Sequence, residues 1–194
     1  RDYLRLDNRP VILSFGGSLG ARKINEAAAD LIAWSSRDDR FQHIHAYGQY
    51  GKWFPELLEK KGVDLKAHKN LDIREYINNM PVCMAAADLV ICRAGAITLT
   101  EIQAQGKASL LIPSPNVAEN HQYHNAMALV SRNAAEILEE KDLTGDSLIA
   151  MVKKMISDPI KLKEYQDNAR AMAILDSSER IYQVIKEVLK KNQS

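Results

Sequence analysis

At 194 residues, with 46% hydrophobic and 26% charged side chains and a formal net charge of +1, the chain has an ordinary globular composition and room for one well-buried core. The near-neutral balance gives no reason to expect nucleic acid or strong attraction to an anionic membrane. No apolar run approaches the ~20 residues that span a bilayer, no signal peptide opens the sequence, and Arg1-Asp2-Tyr3 reads as a cut into a longer protein.

Val11–Phe15 is the first expected strand, followed by Gly16-Gly-Ser-Leu-Gly20 and a helix from about Ala21 to Ser35. The glycines permit positive φ and close backbone approach, and the Ser18 hydroxyl can donate to a phosphate oxygen. The loop is neither a Walker loop, since no Gly-Lys-Ser/Thr follows, nor the dinucleotide GxGxxG. Phe41 to Tyr47 is a second strand, ending at Gly48-Gln-Tyr-Gly51 before a helix over Trp53 to Lys61. His43 and His45 alternate on this strand and so share a face; two such imidazoles could ligate a metal, but no third ligand is near in sequence. A short strand is expected over Val63 to Lys66. Ile73 to Met80 then leads to a helix over Pro81 to Ala87. Cys83 and Cys92 form no CxxC and no metal-ligand cluster, so both read as buried reduced thiols, consistent with the cytoplasm.

Leu89–Cys92 is an apolar run bounded by Asp88 and Arg93, the mark of a buried parallel strand. Arg93-Ala94-Gly95-Ala96 is a small-residue turn, and Ile97 to Gln105 has helical character with Gly106 as its stop. A strand, a tight turn and a helix start bring free backbone N–H groups and a positive dipole end to one point, which makes an anion site. Glu101 lies on the helix face of Thr98 and Gln105. A carboxylate this close to a phosphate suits the neutral diol beside it, and a ribose supplies one. The combination reads as a nucleoside diphosphate laid across a helix N-terminus. The bland reading is a strand-turn-helix with a solvated glutamate.

Ala108 to Ile112 is another buried strand, ended by Pro113-Ser-Pro115. Asn116 to Asn120 is a polar loop, and His121 to Ser131 is a helix whose first turns carry Gln122 and Asn125. Amides there suit neutral sugar hydroxyls, because they donate and accept at once. Ala134 to Leu138 is the last strand-like run. Helices follow over Asp146 to Ile156 and Ile160 to about Met172, and Asp176-Ser-Ser-Glu179 opens a final one reaching Lys190. Ile181, Val184, Ile185 and Val188 have the spacing of a packed helix face, and the lysines near the end suit a helix C-terminus. Strands alternating with helices make the fold class α/β, a doubly wound and mainly parallel, Rossmann-like sheet in one domain over residues 1–194, with C-terminal helices from about 144. Ligands in such sheets bind beyond the carboxyl ends of the strands.

Arg93-Ala-Gly-Ala with Glu101, Gly16-Gly-Ser-Leu-Gly-Ala-Arg22 and His121-Gln-Tyr-His-Asn-Ala126 together resemble the MurG-type UDP-N-acetylglucosamine transferases, which make the lipid-linked disaccharide precursor of peptidoglycan. The resemblance covers nearly all of this chain but only the C-terminal, donor-binding half of such a two-domain GT-B enzyme. It implies a donor site that includes Gly17, Ser18, Arg93, Gly95, Ala96, Ile97, Thr98 and Glu101, with Ser18 and the glycines of its loop bordering the diphosphate. Tyr76 and Ile77 would wall the uracil, with His121 and Gln122 at the N-acetylglucosamine. His45 before Gly48 is similar to the family's His-x-x-Gly, with Gln49 where the family often has Lys. His121 stands where the family often has a first glutamine. The family's arginine near the uracil falls at or just before residue 1 and is not assigned to Arg1.

The implied reaction is inverting transfer from UDP-N-acetylglucosamine to a lipid-linked muramoyl-peptide, with no metal cofactor, since no Asp-x-Asp occurs in the sequence. No catalytic residue is identifiable in the chain. The general base, the acceptor site and the membrane contact are expected in an N-terminal domain absent from it. The full-length protein would lie in the cytoplasm, peripheral to the inner face of the cell membrane. Open alternatives are a stand-alone nucleotide-sugar-binding module or subunit, or another GT-B enzyme such as a UDP-sugar epimerase or glycolipid synthase.

Overall fold

The computed structural model describes residues 1–37 and 39–191, the last two of these without their side chains. Six strands form one sheet: β1 (Val11–Phe15), β2 (Gln42–Ala46), β3 (Leu71–Arg74), β4 (Leu89–Cys92), β5 (Ala108–Leu111) and β6 (Glu136–Ile137). Their order is β3-β2-β1-β4-β5-β6, and every neighbouring pair is parallel. Between and after them run α1 (Arg22–Ser35), α2 (Phe54–Lys60), α3 (Met80–Ala86), α4 (Ala96–Gln105), α5 (His121–Val130), α6 (Gly145–Ile156), α7 (Pro159–Ala171) and α8 (Ser177–Lys191).

The central strands are buried on both faces, which is why they read as continuous apolar runs and not as alternating ones. Their period of two still sorts the core. Val11, Leu13 and Phe15 pack with Met84, Leu99, Ile102 and Leu129 from α3, α4 and α5. Ile12 goes to the opposite face with Ile24 and Leu31 of α1 and with Leu148 and Val152 of α6. The order of strands reverses between β1 and β4, so the crevice beyond their carboxyl ends is framed by the loops that start α1 and α4.

Two expectations fail. The strand foreseen over Val63–Lys66 is absent, and the edge strand is Leu71–Arg74. Gly62, at φ 81°, ends α2 with the Gly62 N–H on the Glu59 carbonyl and the Val63 N–H on that of Leu58, a Schellman pair. Val63 is apolar because it plugs the α2 core, and Asp64 then folds the next residues into a turn by accepting from the Lys66 N–H. The second failure concerns α8. Its Ile181, Val184, Ile185 and Val188 have the spacing of a packed face, yet all stand more than half exposed. Periodicity establishes that a helix has an apolar stripe; it does not establish what covers the stripe. Lys190 and Lys191 end this helix, and their side chains lie outside the described residues.

Candidate nucleotide-sugar site

Three helices open onto the crevice, and none of the three has a side-chain cap. In α1, N-capped by Ala21, the first intrahelical bond runs from the Asn25 N–H to the Ala21 carbonyl. In α4, N-capped by Gly95, it runs from Leu99 to Gly95. The N–H groups of Ala96, Ile97 and Thr98 therefore have no acceptor within their helix, and no acidic residue sits in the first turn. The helix α5 is uncapped as well. By contrast Thr144 and Asp158 cap α6 and α7, while α2 and α3, also without a side-chain cap, place a proline, which has no N–H, in the first turn. The uncapped, positively polarised ends collect on the side where a ligand of such a sheet binds.

The glycine-rich loop after β1 is shaped more by the chain than by a ligand. A Cβ on Gly20 would lie 2.2 Å from the Tyr47 carbonyl oxygen, and one on Gly48 would lie 2.1 Å from the Gly20 nitrogen. This crossing lets the Gln49 N–H donate to the Ser18 carbonyl and the Tyr50 N–H to that of Leu19, stapling the loop to the one after β2. Gly16 is likewise crowded, by Ala21. The expected freedom for ligand approach survives at Gly17, at φ 94°, and at Gly95, both facing open space. Ser18 stands exposed at the loop tip beside Gly17.

Arg93 is engaged by the chain itself. Its guanidinium donates to the carbonyls of Ile112 and Pro113, at 3.3 and 3.1 Å, and pairs with the carboxylate of Glu140. Both side chains are only about one-sixth exposed, at 17% and 16%. Arg93 thus binds the exits of β4 and β5 to the segment after β6. Glu140 lies 47 residues away in sequence, and no local pattern announces it.

The neighbouring cleft, about 410 Å³, is lined by Arg93, Glu140, Ser114, Asn116 and Gln122 together with Gly16, Gly20 and the start of α1. Gln122 accepts at its Oε1 from the Ser114 N–H, at 2.9 Å. Asn125, one turn further along α5, donates to the Ala94 carbonyl in the turn before α4. His121 is exposed, and its Nδ1 lies 3.0 Å from the Ala118 carbonyl oxygen.

On α4, Glu101 is exposed and makes no hydrogen bond or ion pair among the described residues, while Thr98 and Gln105 on the same face are half-buried. Burial, reinforced by the charge of Glu101, pushes the Cys92 thiol up to about 12, so that carboxylate is felt at the end of β4. Ile97 is exposed at the helix start. Of the pair expected at a base, Tyr76 is 57% exposed and available as a wall. Ile77 is not, because its side chain is buried among Phe15, Ala46 and Met84, leaving only its backbone to meet a ligand.

His43 and His45 do share a face, and it is an inner one. Ser14 Oγ lies between them, 2.7 Å from His43 Nε2 and 2.6 Å from His45 Nδ1, and the His45 ring packs at 4.4 Å from that of Phe54. Burial pushes His43 down to about 3 and holds His45 well below its ordinary range, so both are neutral core groups. Among the described residues no cluster of three histidine, cysteine or acidic side chains is placed to hold a metal. Cys83 and Cys92 are free, buried thiols. Arg1 pairs at 2.5 Å with Asp88, which precedes β4 and so lies at the amino ends of the strands, away from the crevice at their carboxyl ends. No described helix is long and apolar enough to cross a membrane.

Sheet order and switch point define a doubly wound, Rossmann-like α/β domain, and the uncapped helix starts open onto the crevice where domains of this class bind their ligands. Residues 11–188 match the glycosyltransferase family 28 C-terminal domain. The chain belongs to that family. It is 39% identical over 188 residues to a UDP-N-acetylglucosamine–N-acetylmuramyl-(pentapeptide) pyrophosphoryl-undecaprenol N-acetylglucosamine transferase of Desulforamulus reducens, covering 96% of this chain and 50% of the relative. To the enzyme of that name in Acetivibrio thermocellus it is 42% identical, over 93% of this chain and 48% of the relative. Among solved structures, MurG of Acinetobacter baumannii superposes with a TM-score of 0.78 at 28% identity, covering 96% of this chain and 52% of that one. A UDP-GlcNAc 2-epimerase of Neisseria meningitidis shares the fold at 14% identity, with a TM-score of 0.67, 95% of this chain and 46% of that one being covered. The chain spans about half the length of the curated relatives it matches, and its architecture is that of the C-terminal half of a GT-B glycosyltransferase.

Proposed function

We propose that the chain is the donor-binding half of an inverting transferase that moves N-acetylglucosamine from UDP-N-acetylglucosamine to a lipid-linked muramoyl-peptide. The observation that carries the reading is the uncapped start of α4 with the unpartnered Glu101 one turn inside it. The diphosphate would lie on the N–H groups of Ala96, Ile97 and Thr98, with Gly17 and Ser18 across the crevice. Glu101 would accept from both ribose hydroxyls. Tyr76 and the backbone of Ile77 would meet the uracil, and Gln122 with His121 the sugar.

As the bond to the sugar breaks, negative charge grows on the UDP leaving group. Preorganised N–H donors and the dipole of α4 would stabilise that charge without a metal. The acceptor site, the general base and a peripheral contact with the cytoplasmic face of the membrane belong, in this reading, to the other half of such an enzyme. Calorimetric titration with UDP and UDP-N-acetylglucosamine in excess chelator should give binding of both, with no sugar transfer until an N-terminal half is added. Affinity that collapses by orders of magnitude on chelation would overturn the metal-free account. Transfer by this chain alone at the rate of a two-domain enzyme would overturn the division of labour. Equal competition by unrelated UDP-sugars would favour a different GT-B activity.

A further inference from the structure

The geometry points to Arg93 and Glu140 as a positioning pair that fixes which end of the Gln122 carboxamide meets the donor sugar. This rests on the reading above, in which Gln122 lies at the sugar. Arg93 holds the carbonyls of Ile112 and Pro113, and Glu140 holds Arg93. The next residue, Ser114, gives its N–H to Gln122 Oε1. The pair, the loop it anchors and the amide all line one cleft.

The amide oxygen is therefore engaged by the protein, and the NH₂ end is the one left for a ligand. An amide free to flip can present either end; one whose oxygen accepts from the Ser114 N–H is held in one sense, with its two N–H donors free and a single lone pair left on the oxygen. The sugar group that matches the NH₂ end is an acceptor oxygen, either a hydroxyl oxygen or the acetamido carbonyl. Removing Glu140 leaves the Arg93 charge partly buried and uncompensated, a condition the structure relieves by moving. The Pro113–Ser114 strap shifts with it, and the amide loses its fixed sense. Neither residue touches the nucleotide in this account.

Glu140→Gln should lower the affinity for UDP-N-acetylglucosamine about five- to tenfold more than that for UDP, the worth of one neutral hydrogen bond. The same substitution in a Gln122→Ala background should have no further effect on that ratio, because the amide it positions is gone. A general structural role would instead act equally on both ligands and repeat itself in the second background. A ratio that survives Glu140→Gln, or falls equally in both backgrounds, would overturn the inference. Should Glu140→Gln fail to fold, the charge-balanced double substitution Arg93→Gln with Glu140→Gln takes its place, with the same expected loss. If Gln122→Ala itself leaves the ratio unchanged, the placement of Gln122 at the sugar is wrong. If the ratio falls with Gln122→Ala but not with Glu140→Gln, only the positioning role is wrong.

Discussion

Replacing Glu101 by Ala tests the centre of the site at little cost to the fold. The side chain is exposed and makes no hydrogen bond or ion pair among the described residues, so nothing in the structure is broken when it goes. Alanine is also the better helix former, and the change in folding stability should stay within about 0.5 kcal/mol. Binding is another matter. A carboxylate accepting from two ribose hydroxyls makes two charge-assisted bonds, each worth roughly 1.5–3 kcal/mol. The full sum does not apply at an exposed position, where water replaces part of what is lost and the two bonds are not independent. A loss of roughly 10- to 100-fold in UDP affinity, about 1.4–2.8 kcal/mol, is the expectation. Titration with UDP and with 2′,3′-dideoxy-UDP separates the ribose contact from damage to the phosphate pocket, since the second ligand has no diol to lose. Equal weakening of both, or of neither, would show that Glu101 is a solvated helix residue and that the diol argument fails.

Gly48→Ala should destabilise the chain by about 1–3 kcal/mol and weaken UDP with it, read as a lower melting temperature and a lower affinity. The new Cβ meets the Gly20 backbone, and the position stands at φ 76°. The neutral His43 and His45 make stability depend on acid. Both are depressed in the folded chain, His43 to about 3, from the ordinary 6.5 that the unfolded chain regains. Stability is then complete above about 6.5 and falls as the pH drops toward 3, by about 1.4 kcal/mol per unit for each histidine. Urea midpoints between pH 8 and 4.5 check this, and a flat profile would refute it.

Most of the fold could be read in the sequence because parallel strands buried on both faces announce themselves. Leu89–Cys92 has no polar interruption, and Gly106 closes α4 at φ 58° as a left-handed stop should. The misplaced strand at Val63–Lys66 shows the limit. A short apolar run next to a glycine is equally a helix end sealed by a plug, and only the partner elements decide between them. The free helix start at Gly95 to Thr98 was legible, because backbone alone makes it. The choice that side chains make between a ligand and the chain was not legible. Arg93 stands in a motif that suggests phosphate, yet a carboxylate distant in sequence has taken it. Ile77 stands beside Tyr76 in a loop, yet only Tyr76 faces out. His43 and His45 alternate as metal ligands can, yet the strand faces the core and Ser14 is what lies between them.

The fate of the cations has a consequence for how an anion is held. Three basic side chains line the cleft. Arg93 is taken by Glu140, and Arg22 is taken by Glu26 at 2.8 Å, with its guanidinium 5.5 Å from the Trp53 ring. Among the described residues Lys23 has no such partner. A diphosphate bound here rests mainly on backbone N–H groups at helix ends, which are fixed partial charges at contact distance. Salt screens charges across about 10 Å at 0.1 M, but it does little to a bond formed at contact. UDP affinity should therefore fall less than about fivefold between 50 and 500 mM sodium chloride, the loss expected when roughly one exposed charge pair is screened. Lys23→Ala should remove most of that small dependence. A fall of 50-fold or more across the same range would mean that mobile cations carry the phosphate, and that the helix ends at Ala21 and Gly95 have been credited with work done by side chains.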